Sequence, residues 1–352
     1  MSVRLPRALR AGDRVGVTSP SSGVPEQLRE RLAVAVRSLE ARGLEVEVGR
    51  CIGAPSHVSA PREERAEELM RMLLDPAIAA VVPPWGGETG IDLLDLLDFE
   101  ALAAADPCWL VGYSDLTTVM VPLTLRSGWA TLHGGNLMDT PYRAVEGTAH
   151  WVDVAMAETA VDQQSPGRYR HGFVDYARHP GVDRYRLDEP GGWQVLSGGD
   201  VEVTGRVIGG CIEVLSPLAA TPYADVAAFG REHAGEGLLV YLEACEWNPY
   251  DVARALHGFR LAGWFADANA VLIGRPAAPD GASWTQHDAV RDALGSLEVP
   301  VILDVDCGHV APYLPLVNGV PATVTVRDGV GSIHQDLAAS RAETQRTAAR
   351  PG

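Results

Sequence analysis

The chain has 352 residues, 46% apolar and 21% charged, which excludes a disordered or collagen-like chain and predicts two domains that share a cleft. The formal charge of -17 argues against a nucleic-acid partner, because phosphate binding needs clustered Lys and Arg. The cysteines are scattered and form no C-x-x-C pair, which predicts reduced thiols. We identify no signal peptide and no apolar run of membrane-spanning length, and therefore expect a soluble cytoplasmic protein without a membrane partner.

The first third of the chain alternates short apolar runs with amphipathic stretches, which is typical of βαβ units around a mostly parallel sheet. The predicted strands are residues 15–18, 44–48, 78–82 and 108–112. The predicted helices begin at Pro25 and Pro61, and a third lies near residues 91–97. We therefore expect an N-terminal Rossmann-like or flavodoxin-like α/β domain over residues 1–165, with helices flanking the sheet.

From about residue 147 the pattern becomes polar and rich in Gly and Pro, and residues 166–192 are predicted to be a linker or lid. A second alternating set follows, with predicted strands at 201–207, 237–242, 270–273 and 301–303 and predicted helices at 210–218, 249–262 and 286–294. It predicts a smaller C-terminal α/β domain over residues 193–337, with a mixed or barrel-like sheet. Asn318 and Gly319 predict a hairpin turn, and residues 338–352 a polar, frayed tail.

Three reactive side chains follow predicted strands, where ligands collect in open α/β sheets. Ser114 stands at a strand-to-helix turn, which exposes its Oγ next to a helix N-terminus. His309 could take the serine proton and Glu243 could orient that histidine. The order Ser, acid, His is that of the α/β-hydrolases, but their G-x-S-x-G pattern fails at Leu116. The amide of Asp115 and the glycine loop before it along the chain are candidate oxyanion donors.

Each of these residues also has an alternative interpretation. The serine could be a helix N-cap, and the glycine pair only a tight turn. Glu243 could be a solvated strand end and His309 a loop histidine. Asp304, Asp306 and His309 also have the spacing of a metal-ligand cluster, although no second ligand cluster of obvious spacing accompanies them.

A series of motifs extends along nearly the whole chain. The motifs are residues 9–21 with a Gly-Asp turn, a strand and Ser-Pro-Ser, the Gly-Gly pair at 86–87, and residues 93–99, 111–117, 205–210, 221–223, 239–243 and 308–309. In this order they resemble the family of serine peptidases that comprises the LD-carboxypeptidases and the microcin C immunity proteins. The combination is more specific than any single motif.

The resemblance implies a catalytic triad in which Ser114 is the nucleophile and Glu243 and His309 complete the proton relay. It implies that backbone amides of Gly87 and Asp115 form the oxyanion hole. It also implies that the serine lies on the N-terminal domain and the other two residues on the C-terminal one, so that domain packing assembles the triad. Members of the family are typically homodimers without a metal or cofactor.

Two departures from the family pattern concern the substrate. Trp85 precedes Gly86 where LD-carboxypeptidases carry an arginine, and the Gly-Gly pair before Trp193 is more similar to the immunity branch. That branch usually has an asparagine where this chain has Cys211. We therefore predict that Trp85, Gly86, Trp193 and Cys211 contact substrate. The two tryptophans either stack on a planar ligand group or are packed or lid residues.

The resemblance and the strand-end residues together predict a serine carboxypeptidase-like amidohydrolase. Its substrate is predicted to be a small peptide or an aminoacyl amide, with a nucleotide-like leaving group as in the immunity branch. The alternatives are a murein tetrapeptide LD-carboxypeptidase and a non-hydrolytic binding protein on the same scaffold.

Overall fold

The computed structural model describes residues 2–54 and 56–348. Its strands are β1 (Arg14–Val17), β2 (Glu45–Val48), β3 (Ile78–Val81), β4 (Trp109–Gly112), β5 (Thr131–His133), β6 (Ala160–Gln164), β7 (Arg168–Tyr169), β8 (Glu189–Pro190), β9 (Gln194–Val195), β10 (Val201–Cys211), β11 (Leu238–Glu243), β12 (Ala268–Gly274), β13 (Val301–Val305), β14 (Leu316–Asn318), β15 (Pro321–Arg327) and β16 (Val330–Asp336).

The α-helices are α1 (Arg29–Glu40), α2 (Arg62–Leu74), α3 (Phe99–Ala104), α4 (Thr117–Ser127), α5 (Trp151–Met156), α6 (Ile212–Leu215), α7 (Val226–Glu232), α8 (Pro249–Leu261), α9 (Gln286–Leu294) and α10 (Leu337–Ala348). Short 3-10 helices are Glu26–Leu28, Gly90–Leu93, Ser114–Leu116, Leu137–Asp139 and Ser216–Leu218. Within the described ranges, no helix combines the length and apolar character needed to cross a membrane.

The first sheet has the strand order β14-β5-β4-β3-β1-β2. Strands β1 to β5 pair in parallel, and their order is that of the flavodoxin-like folds. β3 and β4 are buried along their whole length, as expected for strands covered by helices on both faces. The expected flavodoxin-like, mostly parallel N-terminal sheet is confirmed.

The second sheet has eight strands in the order β6-β16-β15-β10-β11-β12-β13-β9. β10 to β13 form a parallel centre, and antiparallel strands flank it on both sides. β6 and β9 lie at opposite edges, so the sheet is open. The prediction of a mixed sheet is confirmed, and the barrel-like alternative is wrong.

Two predicted helices differ from the observed ones. The helix expected near residues 91–97 is only the short 3-10 helix Gly90–Leu93, and α3 begins later because the Asp98 side chain accepts a hydrogen bond from the Ala101 amide. The helix expected from residue 210 begins at Ile212, because β10 continues in parallel pairing with β11 as far as Cys211.

The predicted hairpin at Asn318 and Gly319 is wrong. β14 pairs with β5 of the first sheet, whereas β15 pairs with β10 of the second. Gly319 has a φ of 87°, so the turn does use the conformation that favours glycine. The chain therefore crosses from the first sheet to the second at this turn, because β14 and β15 pair with strands of different sheets.

The segment predicted as a linker or lid is folded against both domains, and on the second domain the Arg170 amide donates to the Ala311 carbonyl oxygen at 2.9 Å. β7 and β8 pair as a small antiparallel ribbon, and the buried Arg31 donates to the carbonyl oxygens of Pro180 at 2.9 Å and Val182 at 2.6 Å. β6, within the predicted N-terminal domain, pairs with β16 in the second sheet. The domain boundaries stay a prediction, although the strand before the linker, β6, belongs to the second sheet, as does β9 after it.

The predicted polar tail differs over its described part. Residues 337–348 form α10, and Arg341 donates to the carbonyl oxygens of Pro6 at 3.0 Å and Ala157 at 3.1 Å. Residues 349–352 of the predicted tail lie outside the described residues. Helical periodicity was weak in this polar stretch, and the long-range contacts to the first domain hold it in place.

Candidate active site

Ser114 lies in a strained turn between β4 and α4. Its φ is 66°, a conformation that costs a non-glycine residue roughly 1–3 kcal/mol and is common at functional sites. Tyr113 occupies the cap position of the 3-10 helix, and no side-chain capping bond is made there or at the start of α4. The N-cap interpretation of Ser114 is therefore wrong. Its half-buried hydroxyl is left beside the helix N-terminus.

The glycine loop after β3 packs directly on this turn. A Cβ on Gly86 would lie 2.9 Å from both Ser114 Cβ and the Asp115 nitrogen, so only glycine fits this close approach. The Asp115 carboxylate accepts a hydrogen bond of 2.7 Å from the Gly90 amide and so fastens the loop to the serine turn. The structure thus brings Gly86 against Ser114 and Asp115, with Gly87 next along the loop.

Glu243 and His309 form a buried carboxylate–imidazole pair at the ends of β11 and β13. His309 Nδ1 lies 2.7 Å from Glu243 Oε2, and the two residues are 7% and 0% exposed. Gly308 has a φ of 92°, and a Cβ there would overlap the Glu243 carboxylate. The glycine before His309 therefore allows the imidazole to approach the acid.

The pKa of His309 is raised well above its ordinary value of 6.5. Burial alone would lower it, but the negative charge of Glu243 and hydrogen bonds with Cys245 and Glu243 outweigh burial. The neighbouring His133 shows the opposite behaviour. Burial and the proximity of His309 lower the pKa of His133 to about 3, so it is neutral at physiological pH.

Tyr113, the residue before Ser114, contacts the imidazole of the carboxylate–imidazole pair. The Tyr113 and His309 rings lie edge to face, with centroids 5.0 Å apart. Within the described part of the chain, no hydrogen bond joins Ser114 Oγ to the imidazole.

Cys211 lies at the end of β10 beside this pair. Its amide donates to Thr117 Oγ1 at 3.3 Å, which links the second sheet to the helix that follows the serine. Its thiol donates to Glu213 Oε2 at 3.1 Å. Burial, followed by the charges of Glu243 and Glu213, raises the pKa of the Cys211 thiol well above its ordinary value. The site therefore holds this cysteine as a neutral thiol.

Sequence reasoning missed Tyr113, Glu213 and Cys245. Glu213 Oε1 accepts hydrogen bonds from the backbone amides of Cys245, Glu246 and Trp247 at 2.7, 2.9 and 3.2 Å. The available signal was a carboxylate in the otherwise apolar residues 212–215. The signal for the tyrosine was its position next to Ser114.

The two tryptophans predicted to contact substrate have different environments. Trp85 is half-buried beside the glycine loop and donates to the carbonyl oxygens of Ser22 and Gly23, both at 3.2 Å. Trp193 is 2% exposed, packs against Gly331 and donates to Asp306 Oδ2 at 3.0 Å. Trp193 is therefore the packed tryptophan that the sequence left as an alternative.

Asp304 and Asp306 face Arg275, which lies 3.8 Å and 3.4 Å from their carboxylates. Asp304 lines a cavity of about 810 Å³, and Asp306 accepts a hydrogen bond from Trp193 in the wall of that cavity. The wall also includes His287 but none of the predicted triad. His309 faces Glu243 instead, so the structure does not assemble the metal-ligand cluster that the spacing had suggested.

The fold and this site define a two-domain α/β protein with reactive side chains at the strand ends of both domains. Residues 15–134 match the family model of the LD-carboxypeptidase N-terminal domain, and residues 204–324 match that of the C-terminal domain. The chain therefore belongs to the LD-carboxypeptidase family, as the resemblance of its motifs implied.

The relatives support this assignment. A putative carboxypeptidase of Streptomyces coelicolor is 31% identical over 340 residues, with 92% of this chain and 94% of the relative covered. A putative carboxypeptidase of Vibrio cholerae is 28% identical over 327 residues, with 90% and 94% covered. The family and the names of these relatives support a peptidase activity.

The microcin C7 self-immunity protein MccF of Escherichia coli is a more distant relative. It is 22% identical over 328 residues, with 90% of this chain and 91% of MccF covered. The solved structure of MccF in complex with glutamyl sulfamoyl guanosine matches with a TM-score of 0.77 at 21% identity, covering 94% of this chain and 98% of that one. At this identity the structural match shows a shared fold.

Proposed function

We propose that this protein is a serine peptidase or amidohydrolase that uses Ser114, Glu243 and His309. The observation that carries the proposal is the buried hydrogen bond of 2.7 Å between His309 Nδ1 and Glu243 Oε2, beside a serine held in a strained strand-to-helix turn. A carboxylate that orients a buried imidazole is the arrangement that activates a serine nucleophile.

In this mechanism, neutral His309 takes the Ser114 proton as Oγ attacks the carbonyl carbon of a substrate amide. The resulting imidazolium is stabilised by Glu243 and returns its proton to the leaving amine as the amide bond breaks. Water, deprotonated by the same imidazole, then attacks the acyl-enzyme ester and releases the carboxylic acid and Ser114.

The oxyanion of the tetrahedral intermediate needs donors that are already in place. We assign this role to the backbone amides of Gly87 and Asp115, on the glycine loop and the serine turn. The close packing at Gly86 and the hydrogen bond between Asp115 and Gly90 support the assignment, because they keep the two segments together before substrate arrives.

Ser114→Ala removes the nucleophile and is expected to reduce turnover to the background rate while leaving the fold intact. Hydrolysis of a panel of peptide and aminoacyl amides, followed by mass spectrometry, measures the loss. Ser38→Ala, a serine substitution on α1, is the matched control and should retain full activity. Undiminished hydrolysis by Ser114→Ala would exclude the proposed nucleophile, and binding without hydrolysis by the wild-type protein would favour the non-hydrolytic alternative.

We further propose that the substrate is a small peptidyl or aminoacyl amide with a nucleotide-like leaving group. The complex of MccF with glutamyl sulfamoyl guanosine supports this choice, together with Trp85 beside the glycine loop. Trp85 and Gly86 would contact the ligand near the nucleophile, and Cys211 would contact it from the second sheet. The homodimer remains part of the proposal on the strength of the family resemblance, and the cytoplasmic location on that of the scattered cysteines without a C-x-x-C pair.

The murein tetrapeptide activity is the competing specificity within the family. Incubating the protein separately with a murein tetrapeptide and with an aminoacyl-sulfamoyl nucleoside distinguishes the two. We expect faster cleavage of the nucleoside amide, since Trp85 replaces the arginine that typical LD-carboxypeptidases carry before the glycine pair. Faster release of the terminal amino acid from the tetrapeptide would assign the murein activity instead.

A further inference from the structure

Three side chains of different chemistry converge at the candidate active site. The thiol of Cys211, a carboxylate oxygen of Glu243 and a ring nitrogen of His309 all lie within 4.8 Å of one another, and all three residues are buried. Among the described residues this is the one such convergence of His, Cys, Asp and Glu side chains. Thiolate, carboxylate and imidazole are the protein ligands of Zn²⁺.

Glu243 has an unused oxygen at this position. The residue is 0% exposed, and its Oε2 accepts the hydrogen bond from His309. Its Oε1 is buried and has no hydrogen-bond partner within the described part of the chain. An unpaired oxygen on a buried carboxylate is costly, and a cation held among the three side chains would satisfy it.

We propose that Cys211, Glu243 and His309 bind a Zn²⁺ ion that inhibits the enzyme. Ligand atoms around a tetrahedral zinc lie about 3.3–3.8 Å apart, so the three donors need to shift by only roughly 1 Å. Three protein ligands leave the fourth position to water. Mg²⁺ and Ca²⁺ prefer sites made of oxygen ligands, so the thiol and imidazole favour zinc over them.

Binding has a defined proton balance. The Cys211 thiol proton, which is donated to Glu213 in the free site, passes to solvent as the thiolate binds the metal, and a doubly protonated His309 ring also releases one proton to solvent before it binds. A neutral imidazole that binds zinc through one ring nitrogen keeps its proton on the other. Neither nitrogen of His309 can then accept the Ser114 proton, and Glu243 is likewise occupied. Zinc would therefore block general-base catalysis while leaving the serine in place.

The binding part of the proposal does not depend on the proposed function, whereas the inhibition part does. Binding is measured on chelator-treated full-length protein by competition for Zn²⁺ with a chromophoric chelator. We expect Cys211→Ser to weaken zinc binding by more than about 10-fold, because the hydroxyl is a poor zinc ligand. Cys51→Ser is the matched control, since Cys51 is a buried thiol in the first domain and should leave zinc binding unchanged.

Ser114→Ala should bind zinc as tightly as the wild-type protein, so the site can be tested even if Ser114 is not the nucleophile. Thermal unfolding checks that each variant is folded. If Cys211→Ser does not fold, His309→Ala provides a second substitution of a proposed zinc ligand. Zinc affinities of Cys211→Ser and His309→Ala equal to that of the wild type would overturn the proposal, because the metal would then bind elsewhere.

Inhibition is measured as the ratio of each variant's hydrolysis rate with and without added Zn²⁺, so a change in the basal rate of Cys211→Ser does not affect the comparison. The wild type and Cys51→Ser should lose at least about nine-tenths of their activity at saturating zinc, whereas Cys211→Ser should resist the same concentration. Wild-type protein that binds zinc through Cys211 but hydrolyses substrate at an unchanged rate would contradict the inhibitory role while leaving the site established.

Discussion

Glu243 shows how one buried charge shapes the chemistry of its neighbours. The carboxylate is 0% exposed, and its burial is compensated mainly by the hydrogen bond from His309. The negative charge of Glu243 raises the pKa of His309 despite burial, and, after burial itself, it is the next cause of the raised pKa of the Cys211 thiol. One acid thus favours the protonated form of both neighbours.

The raised pKa of His309 predicts the pH dependence of hydrolysis. The imidazole must be neutral to take the serine proton, so activity should be lost as pH falls through a pKa that lies above the ordinary 6.5. Glu243→Gln removes the negative charge and should move this acidic limb to lower pH, with a lower maximal rate. The profile of kcat/KM against pH is measured on chelator-treated protein.

NMR titration of the His309 ring is an independent measurement if Glu243→Gln is too slow to assay. Cys245, Tyr113 and His133 also face this imidazole, and the burial of His133 keeps it neutral over the working range. An imidazole pKa that is the same in wild type and Glu243→Gln would show that the carboxylate is not what raises it.

At the scale of elements, Glu213 joins the start of α6 to the loop that follows β11. One carboxylate oxygen accepts the amides of residues 245–247, and the other accepts the Cys211 thiol. The loop contains Cys245, which contributes to the raised pKa of His309. Glu213 is therefore a positioning residue that holds two segments of the site in register.

Glu213→Ala should lower kcat/KM by at least about 10-fold, because three backbone amides lose their acceptor and the loop after Glu243 becomes mobile. Glu213→Gln keeps an acceptor oxygen and should recover part of the activity. Hydrogen exchange of residues 245–247 should accelerate in Glu213→Ala. Glu67→Ala, an exposed glutamate on α2, is the control. Unchanged exchange in Glu213→Ala would show that the loop is held by other contacts.

The elements that the sequence predicted well are those with a clear local pattern. β3, β4, α8 and α9 lie within two residues of their predicted ranges, because apolar periodicity and end signals coincide there. The helix near residues 91–97 failed because Asp98 caps a new helix, a competition between adjacent helix starts that periodicity does not resolve.

At the scale of the whole molecule, strands are exchanged between the two halves of the chain. β14 from the second half completes the first sheet, and β6 from the first half completes the second. Asn318 stands at one crossing, is 0% exposed, donates to Thr131 Oγ1 at 3.2 Å and accepts from the Gly209 amide at 3.2 Å. It therefore ties the first sheet to the strand that leads to Cys211.

Asn318→Ala should reduce the free energy of unfolding by about 1–3 kcal/mol, because it leaves a buried backbone donor without its acceptor. Urea unfolding followed by circular dichroism measures the change. Gln27→Ala, which removes an exposed amide near the start of α1, is the control and should stay within about 0.5 kcal/mol of wild type. A loss for Asn318→Ala no larger than that of the control would show that the two sheets are joined by other contacts.

The sequence by itself determined the class of fold, the parallel strands β1 to β4 and β10 to β13, and the strand ends after which Ser114, Glu243 and His309 stand. These are local properties, since hydrophobic periodicity and motif order depend on neighbouring residues. Only the tertiary structure decided that Trp193 is packed, that Asn318 and Gly319 join two sheets, and that Cys211 lies beside Glu243 and His309. Such contacts join residues far apart along the chain. They are selected by packing in three dimensions, and the local sequence pattern carries no information about that packing.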